Sequence, residues 1–370
     1  MAEGTARNQV IEVDRSAFGQ TRIVTDDLGQ LDDGQVRLRI DRYALTANNI
    51  TYAAIGEMLG YWGFFPTGDP GWGRVPAMGW ADVVESAHPD VPVGGRYYGW
   101  YPMARYLDLT VSATDDGLRD DGDHRQAHAP VYRSYVESSR DPMYPSTVAA
   151  GAVGDAEDRH ALLRGLFLTS FLADTFFADE SYFGADAAIV LSASSKTAIG
   201  FAQRASARGL AAVIGLTSTA NVEFVRSLGW YTDVLTYDDL DSLPIADAVA
   251  VDLSGAAAVV AGVHERLGDH LKYSMIIGKS HHDAPPVEIT VGPSPQLFFA
   301  PTEVSRRLAE WGHDDYHRLT AESLAEFVAG SERWLTVERT TGALAAEATW
   351  HEVYDGTVPP DIGRIVSVHD

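Results

Sequence analysis

The richest chemistry in the chain lies in Ser192-Ala193-Ser194-Ser195-Lys196-Thr197-Ala198-Ile199-Gly200, directly after the apolar run Ala187–Leu191. Where an apolar strand turns into a helix, a parallel sheet binds phosphates on the helix's free N–H groups and positive dipole end. Ser194, Ser195 and Thr197 add hydroxyl donors and Lys196 a compact ammonium. Aligned by its last glycine, the dinucleotide fingerprint reads Ser195-x-Thr197-x-x-Gly200, so two of three glycines are missing. A serine-capped helix start with an exposed lysine fits the same residues. The next strand ends at Thr217-Ser218-Thr219, with no Asp or Glu to hold ribose hydroxyls. That hydroxyl run suits a 2′-phosphate, hence NADP(H) over NAD(H), although the nearest downstream arginine is Arg226 and Ser218 or Thr219 also suits a helix cap. Gly278-Lys279-Ser280-His281-His282-Asp283 follows a later strand of the same series. It reads either as an anion clamp with His281 as acid/base or as a polar surface loop. Adjacent side chains rarely point at one ion, so no metal is assigned.

Aromatic residues concentrate near the N-terminus, in Tyr61-Trp62-Gly63-Phe64-Phe65 and at Trp72, Trp80, Tyr97, Tyr98, Trp100 and Tyr101. Aromatics are usually core. Their density in a Gly-rich loop also suggests one wall of an apolar or aromatic substrate pocket, with Tyr61, Trp62 and Phe64 as lining and the Tyr132–Tyr135 stretch as a polar corner.

Composition narrows the partners. The 370 residues carry 28 basic and 52 acidic side chains, a formal charge of −24, which disfavours nucleic acid and anionic membranes. There is no cysteine, which excludes disulfides, thiolate nucleophiles and sulfur-ligated zinc. Lysine occurs only at Lys196, Lys272 and Lys279. No signal-peptide pattern and no membrane-length apolar run are evident, so a soluble, cytoplasmic protein is expected.

Two textures must position these residues. Residues 9–112 read as short strands, with period-two alternation at Gln35–Ile40 and a second strand at 81–86. Residues 113–160 read as a long irregular excursion, and 160–178 as a buried helix. From 184 onward, apolar strands alternate with helices, which predicts an α/β fold with a doubly wound parallel sheet. Two or three helices follow residue 301, and a last strand covers 362–368.

The order of these parts resembles the medium-chain dehydrogenase/reductase superfamily. The matching passages are Gly34–Ile40 leading into Leu45–Tyr52, Pro76–Ser86 before Gly94-Gly95-Arg96-Tyr97, Leu228–Leu235, and the ending Gly363–Val368. The resemblance implies a chaperonin-10-like (GroES-like) β domain over 1–160 and 332–370 and a Rossmann domain over 161–331. Lacking cysteine, the chain looks like the zinc-free quinone oxidoreductase and enoyl reductase branch, in a divergent form. In such members the substrate lies between the domains, against the nicotinamide. By that likeness Asn48, Asn49, Thr51 and Tyr52 face the substrate. Tyr52 is then the proton donor and Asn49 a hydrogen-bond donor, unless they are a packed tyrosine and a turn asparagine. Thr169 matches a threonine near the nicotinamide. Tyr135 joins the pocket residues, and a homodimer is implied by likeness alone. The expected activity is zinc-independent NADP(H)-dependent reduction of a carbonyl or enone on an apolar or aromatic small molecule. A non-redox lyase or hydrolase, or an inactive ligand-binding member, are the alternatives.

Overall fold

The structure, a computed structural model, describes residues 7–145, 153–253, 255–277 and 289–370. The chain opens with β1 (Arg7–Asp14), β2 (Thr21–Asp27) and β3 (Gln35–Leu45), then α1 (Ala47–Ala54) and α2 (Gly56–Leu59). Six strands follow: β4 (Trp72–Gly73), β5 (Pro76–Ser86), β6 (Arg96–Pro102), β7 (Tyr106–Ala113), β8 (Gly117–Asp120) and β9 (Ser134–Glu137). Helix α3 (Val153–Asp179) leads to β10 (Ala187–Leu191), α4 (Lys196–Ala207), β11 (Ala212–Thr217), α5 (Val222–Ser227) and β12 (Asp233–Thr236). Next come β13 (Ala248–Asp252), α6 (Ala257–Leu267), β14 (Leu271–Ile276), β15 (Gln296–Leu297), α7 (Ala300–Trp311) and α8 (His313–Ser331). The chain ends with β16 (Thr336–Thr341), α9 (Ala343–Tyr354) and β17 (Ile362–Ser367). It divides into two compact units, Met1–Leu162 with Leu335–Asp370, and Leu163–Trp334.

In the first unit β3, β5, β6, β9, β8 and β7 pair in that order, and β7 pairs back onto β3, which closes a small barrel. Strand β3 is long enough to be shared: Gln35–Arg39 pair with β7, and Tyr43–Leu45 pair with β17. Its alternation is the cause of its placement. Val36, Leu38 and Ile40 are fully buried, while Arg37 between them faces an acid on each neighbouring strand. Arg37 Nη1 lies 2.6 Å from Glu85 Oε2, and Nε lies 2.8 Å from Asp108 Oδ1. Such directly opposed pairs fix register, since a one-residue slip would part the buried guanidinium from both carboxylates.

One sequence expectation needs correction here. Residues 113–160 are not one irregular excursion, because β8 and β9 close the barrel and α3 starts at Val153. Each of those strands has only four residues, too few to show alternation. The sequence expectation of no membrane-length apolar run is qualified by one helix. Among the described residues, the 27-residue α3 is long and apolar enough by composition, but 72% of its most apolar stretch is buried in the protein, as in a core helix.

The second unit holds a six-stranded sheet in the order β12-β11-β10-β13-β14-β15, all parallel. Counted from β10 this is 3-2-1-4-5-6, the doubly wound order of dinucleotide-binding folds, and the α/β fold expected from the sequence is present. Strands β10 and β13 are buried throughout, which is why they read as continuous apolar runs. The order reverses between these two strands, so the carboxyl ends of β10 and β13 flank the place where such sheets bind ligands.

Candidate active site

The turn leaving β10 keeps its shape without the missing glycines. Ser192 adopts φ 59°, the left-handed conformation that glycine ordinarily supplies. Ala193 N donates to Leu216 O at 3.0 Å, and Ala193 O accepts from Tyr231 OH at 2.9 Å, so the turn is pinned to its neighbours. Ser195 caps α4, its Oγ accepting from Ala198 N at 3.3 Å. Lys196 is then the first helical residue, beside N–H groups that have no partner within the helix. Ser194 Oγ accepts from Asn221 Nδ2 at 3.1 Å and lies 3.5 Å from the Oγ1 of buried Thr217, which ties the turn to the end of β11. Ser218 begins the 3-10 turn Thr219–Asn221 but makes no side-chain cap.

Gly200, the one fingerprint glycine retained, lets α4 lie close against α3. A Cβ there would sit 2.9 Å from Ser170 Oγ and 3.1 Å from the Phe167 ring. Ser170 Oγ donates across the same contact to Thr197 O at 2.7 Å. Thr169, beside it, returns its hydroxyl to Gly165 O at 3.1 Å along its own helix. Tyr237, just past β12, hydrogen-bonds Ser192 and lies near Asp252 at the end of β13. Burial, outweighing the Ser192 contacts, pushes its phenol up. Tyr231, Tyr237, Asn221 and Asp252 were missed as site residues, for only the fold carries them to this turn. Arg226 pairs with Glu223 at 3.1 Å and donates to Val234 O at 3.3 Å. Lys272 sits at the opposite, amino end of the sheet, paired with Asp247 at 3.1 Å. Gly278, Lys279 and His281 lie outside the described residues.

In the first unit, α1 sets the second group. Thr46 caps it and forms a reciprocal box with Asn49, whose Oδ1 accepts from Thr46 N at 2.8 Å while Nδ2 donates to Pro76 O at 2.9 Å. Both ends of the Asn49 amide are thus engaged within the fold, which makes it a residue of the helix start. Asn48 and Tyr52, four residues apart, share a helix face, and Asn48 Nδ2 donates to the Tyr52 hydroxyl. Burial pushes the Tyr52 phenol well up, reinforced by Tyr61 and Tyr98 and only partly countered by Asn48. Tyr52 is therefore a neutral hydroxyl that can donate a proton.

Around Tyr52 the rings of Tyr61, Tyr132 and Trp100 close a circuit, with centroids 4.8 Å (52–61), 5.6 Å (61–132), 5.3 Å (132–100) and 5.3 Å (100–52) apart. Phe64 packs beneath Tyr61 and Tyr132 at 5.4 and 5.3 Å, and His128 lies 4.6 Å behind it. Asn48, Trp100 and Tyr132 are half-buried, so the circuit reaches solvent on that side. Other expected pocket residues lie elsewhere. Trp62 packs over Gly73 and Phe18, the fully buried Tyr135 donates to Trp100 O at 2.9 Å within the barrel wall, and Thr51 is buried on α1. Of the Tyr132–Tyr135 stretch expected as a polar corner, it is Tyr132 that joins the aromatic circuit.

The fold is that of a barrel unit interrupted by a doubly wound one. The chain belongs to the family described as "Protein of unknown function (DUF2855)", whose profile matches residues 43–359. No curated protein matches the sequence. Among solved structures it is similar to CurA of Vibrio vulnificus in complex with NADPH, at 15% identity and TM-score 0.63 over 99% of this chain and 100% of that one. It also resembles an enoyl thioester reductase of Candida tropicalis in mutant form, at 11% identity and TM-score 0.56 over 98% and 100%. A third likeness is to an oxidoreductase of Salmonella enterica in complex with NADP, at 15% identity and TM-score 0.53 over 97% and 99%.

Proposed function

We propose that the protein is a soluble, zinc-independent, NADP(H)-dependent reductase acting on the carbonyl or enone of an apolar or aromatic small molecule. The observation that carries this reading is the turn after β10, with Ser192 in the left-handed region, Lys196 opening α4 and hydroxyls at Ser194, Ser195 and Thr197. That donor set fits a pyrophosphate. The likeness to proteins crystallised with NADPH and NADP supports the choice of cofactor. The absence of cysteine supports zinc independence.

When bound, the nicotinamide supplies a hydride. The chain's own task is the proton and the oxygen. Tyr52 donates its hydroxyl proton to the oxygen that becomes an alkoxide or enolate, giving an alcohol or an enol that relaxes to the saturated ketone. The Tyr52 phenolate left behind keeps the Asn48 Nδ2–H as partner until water returns the proton. The aromatic circuit holds the substrate's apolar body and excludes water.

Fluorescence titration with NADPH tests the cofactor assignment. Binding is expected, with Lys196→Ala weakening it about tenfold, in line with the loss of one charge-assisted contact. No binding at millimolar NADPH overturns the reductase reading, and an unchanged affinity in the variant removes Lys196 from the phosphate site.

A further inference from the structure

Tyr52, Tyr61 and Tyr132, the three phenols of the aromatic circuit, carry three protons, and among the described residues one of these is donated, between Tyr61 and Tyr132. Asn48 Nδ2 donates to the Tyr52 oxygen, and among the described residues Tyr52 makes no further hydrogen bond with its own proton. The Tyr61 and Tyr132 hydroxyls lie 3.0 Å apart, and the bond between them uses one of their two protons. Two O–H groups therefore remain, on rings whose circuit brings Tyr52 against Tyr61 at 4.8 Å. A hydroxyl set among aromatic rings is only partly hydrated, and a bound acceptor completes its hydrogen bonding.

Tyr132 is held in place deliberately. It ends the 3-10 turn Pro130–Tyr132, and its carbonyl accepts from Nη2 of the wholly buried Arg125. Arg125 Nε lies 3.1 Å from buried Asp120 Oδ2, and its guanidinium carbon stands 3.9 Å over the Phe64 ring. The ion pair and the cation–π contact thus fix the turn from below. Burial pushes the phenols of Tyr61 and Tyr132 up, as it does Tyr52, so all three keep their protons at neutral pH.

We propose that Tyr61 and Tyr132 form, opposite Tyr52, the second arm of a clamp for a single substrate oxygen. One arm is the Tyr52 O–H and the other is the outer O–H of the Tyr61–Tyr132 pair. The clamp selects a ligand whose polar group accepts hydrogen bonds and donates none: a ketone, an enone carbonyl or an oxyanion on a flat apolar body. Arg125 is a positioning residue, acting through Tyr132. The inference rests on the proposed reading for an oxygen-bearing substrate, but the clamp itself requires no cofactor.

The test uses the full chain without NADPH, with 4-nitrophenolate as an absorbing oxyanion and 4-nitroanisole as a similar ring lacking it. The protein is expected to bind 4-nitrophenolate. The Tyr61→Phe/Tyr132→Phe variant, which keeps both rings, should bind it about tenfold or more weakly while binding 4-nitroanisole equally. Equal affinity for 4-nitrophenolate in the two proteins, or no binding by the unaltered one, overturns the clamp. Where the double variant does not fold, Tyr132→Phe alone serves, with a severalfold loss expected and no loss overturning. NADPH titration of the same proteins separates the two readings. If NADPH fails to bind while the nitrophenolate contrast holds, the reductase assignment falls and the clamp stands.

Discussion

Tyr52 meets two demands that usually conflict. It is nine-tenths buried, which keeps its proton in place, yet its oxygen already accepts from Asn48, which offsets part of the cost of leaving a phenolate behind. Tyr52→Phe should lower turnover at least about a hundredfold, the usual contribution of a positioned acid, without changing NADPH affinity. An unaltered rate in a steady-state assay removes Tyr52 from the chemistry. Asn48 and Tyr52 were each singled out in the sequence but not as a pair, because their segment reads as a turn and four-residue spacing matters only once it is a helix. The Tyr61–Tyr132 contact was not legible in the sequence, since those residues stand 71 positions apart and meet only once the barrel closes. Asn49, read either as a hydrogen-bond donor or as a turn asparagine, takes part in the capping box of its helix.

At the scale of elements, the parallel sheet announced itself, because strands buried on both faces are uninterrupted apolar runs. The closing strands of the barrel stayed hidden, being four residues long and flanked by turns. Helix α4 offers a contest of known magnitudes. Alanine is favoured over glycine inside a helix by about 1 kcal/mol. At Gly200 the added methyl meets Ser170 and Phe167 at 2.9 and 3.1 Å, and such overpacking costs about 1–3 kcal/mol. Gly200→Ala should therefore be neutral to destabilising in urea unfolding, by up to about 2 kcal/mol. A clear gain in stability would mean that α3 and α4 do not rely on this close approach.

Across the whole molecule, an excess of acid is organised around arginine. Arg96 alone reaches Asp41, Asp82 and Glu157, at 2.7, 3.0 and 2.7 Å. Burial alone would raise Asp41, but its hydrogen bond to Arg96 and the charges of Arg42 and Arg96 hold it below the usual carboxylate value. A lowered native pKa adds stability above the unfolded value and loses it as pH falls through the native one. Asp158 acts in the other sense: burial outweighs Arg42 and Arg339, so it is raised and its protonation on acidification favours the fold. The unfolding temperature should fall below about pH 4, and Asp41→Asn should flatten that fall. An identical pH profile in the variant would show that Asp41 is not linked to folding. The return of the chain to its first unit has a consequence in time. Leu163–Trp334 form one uninterrupted length, whereas the barrel unit is completed only by Leu335–Asp370, with β17 pairing on Tyr43–Leu45. On the ribosome, the inner unit can finish folding while the outer one still waits, its β3 edge half-paired, for Leu335–Asp370 to emerge.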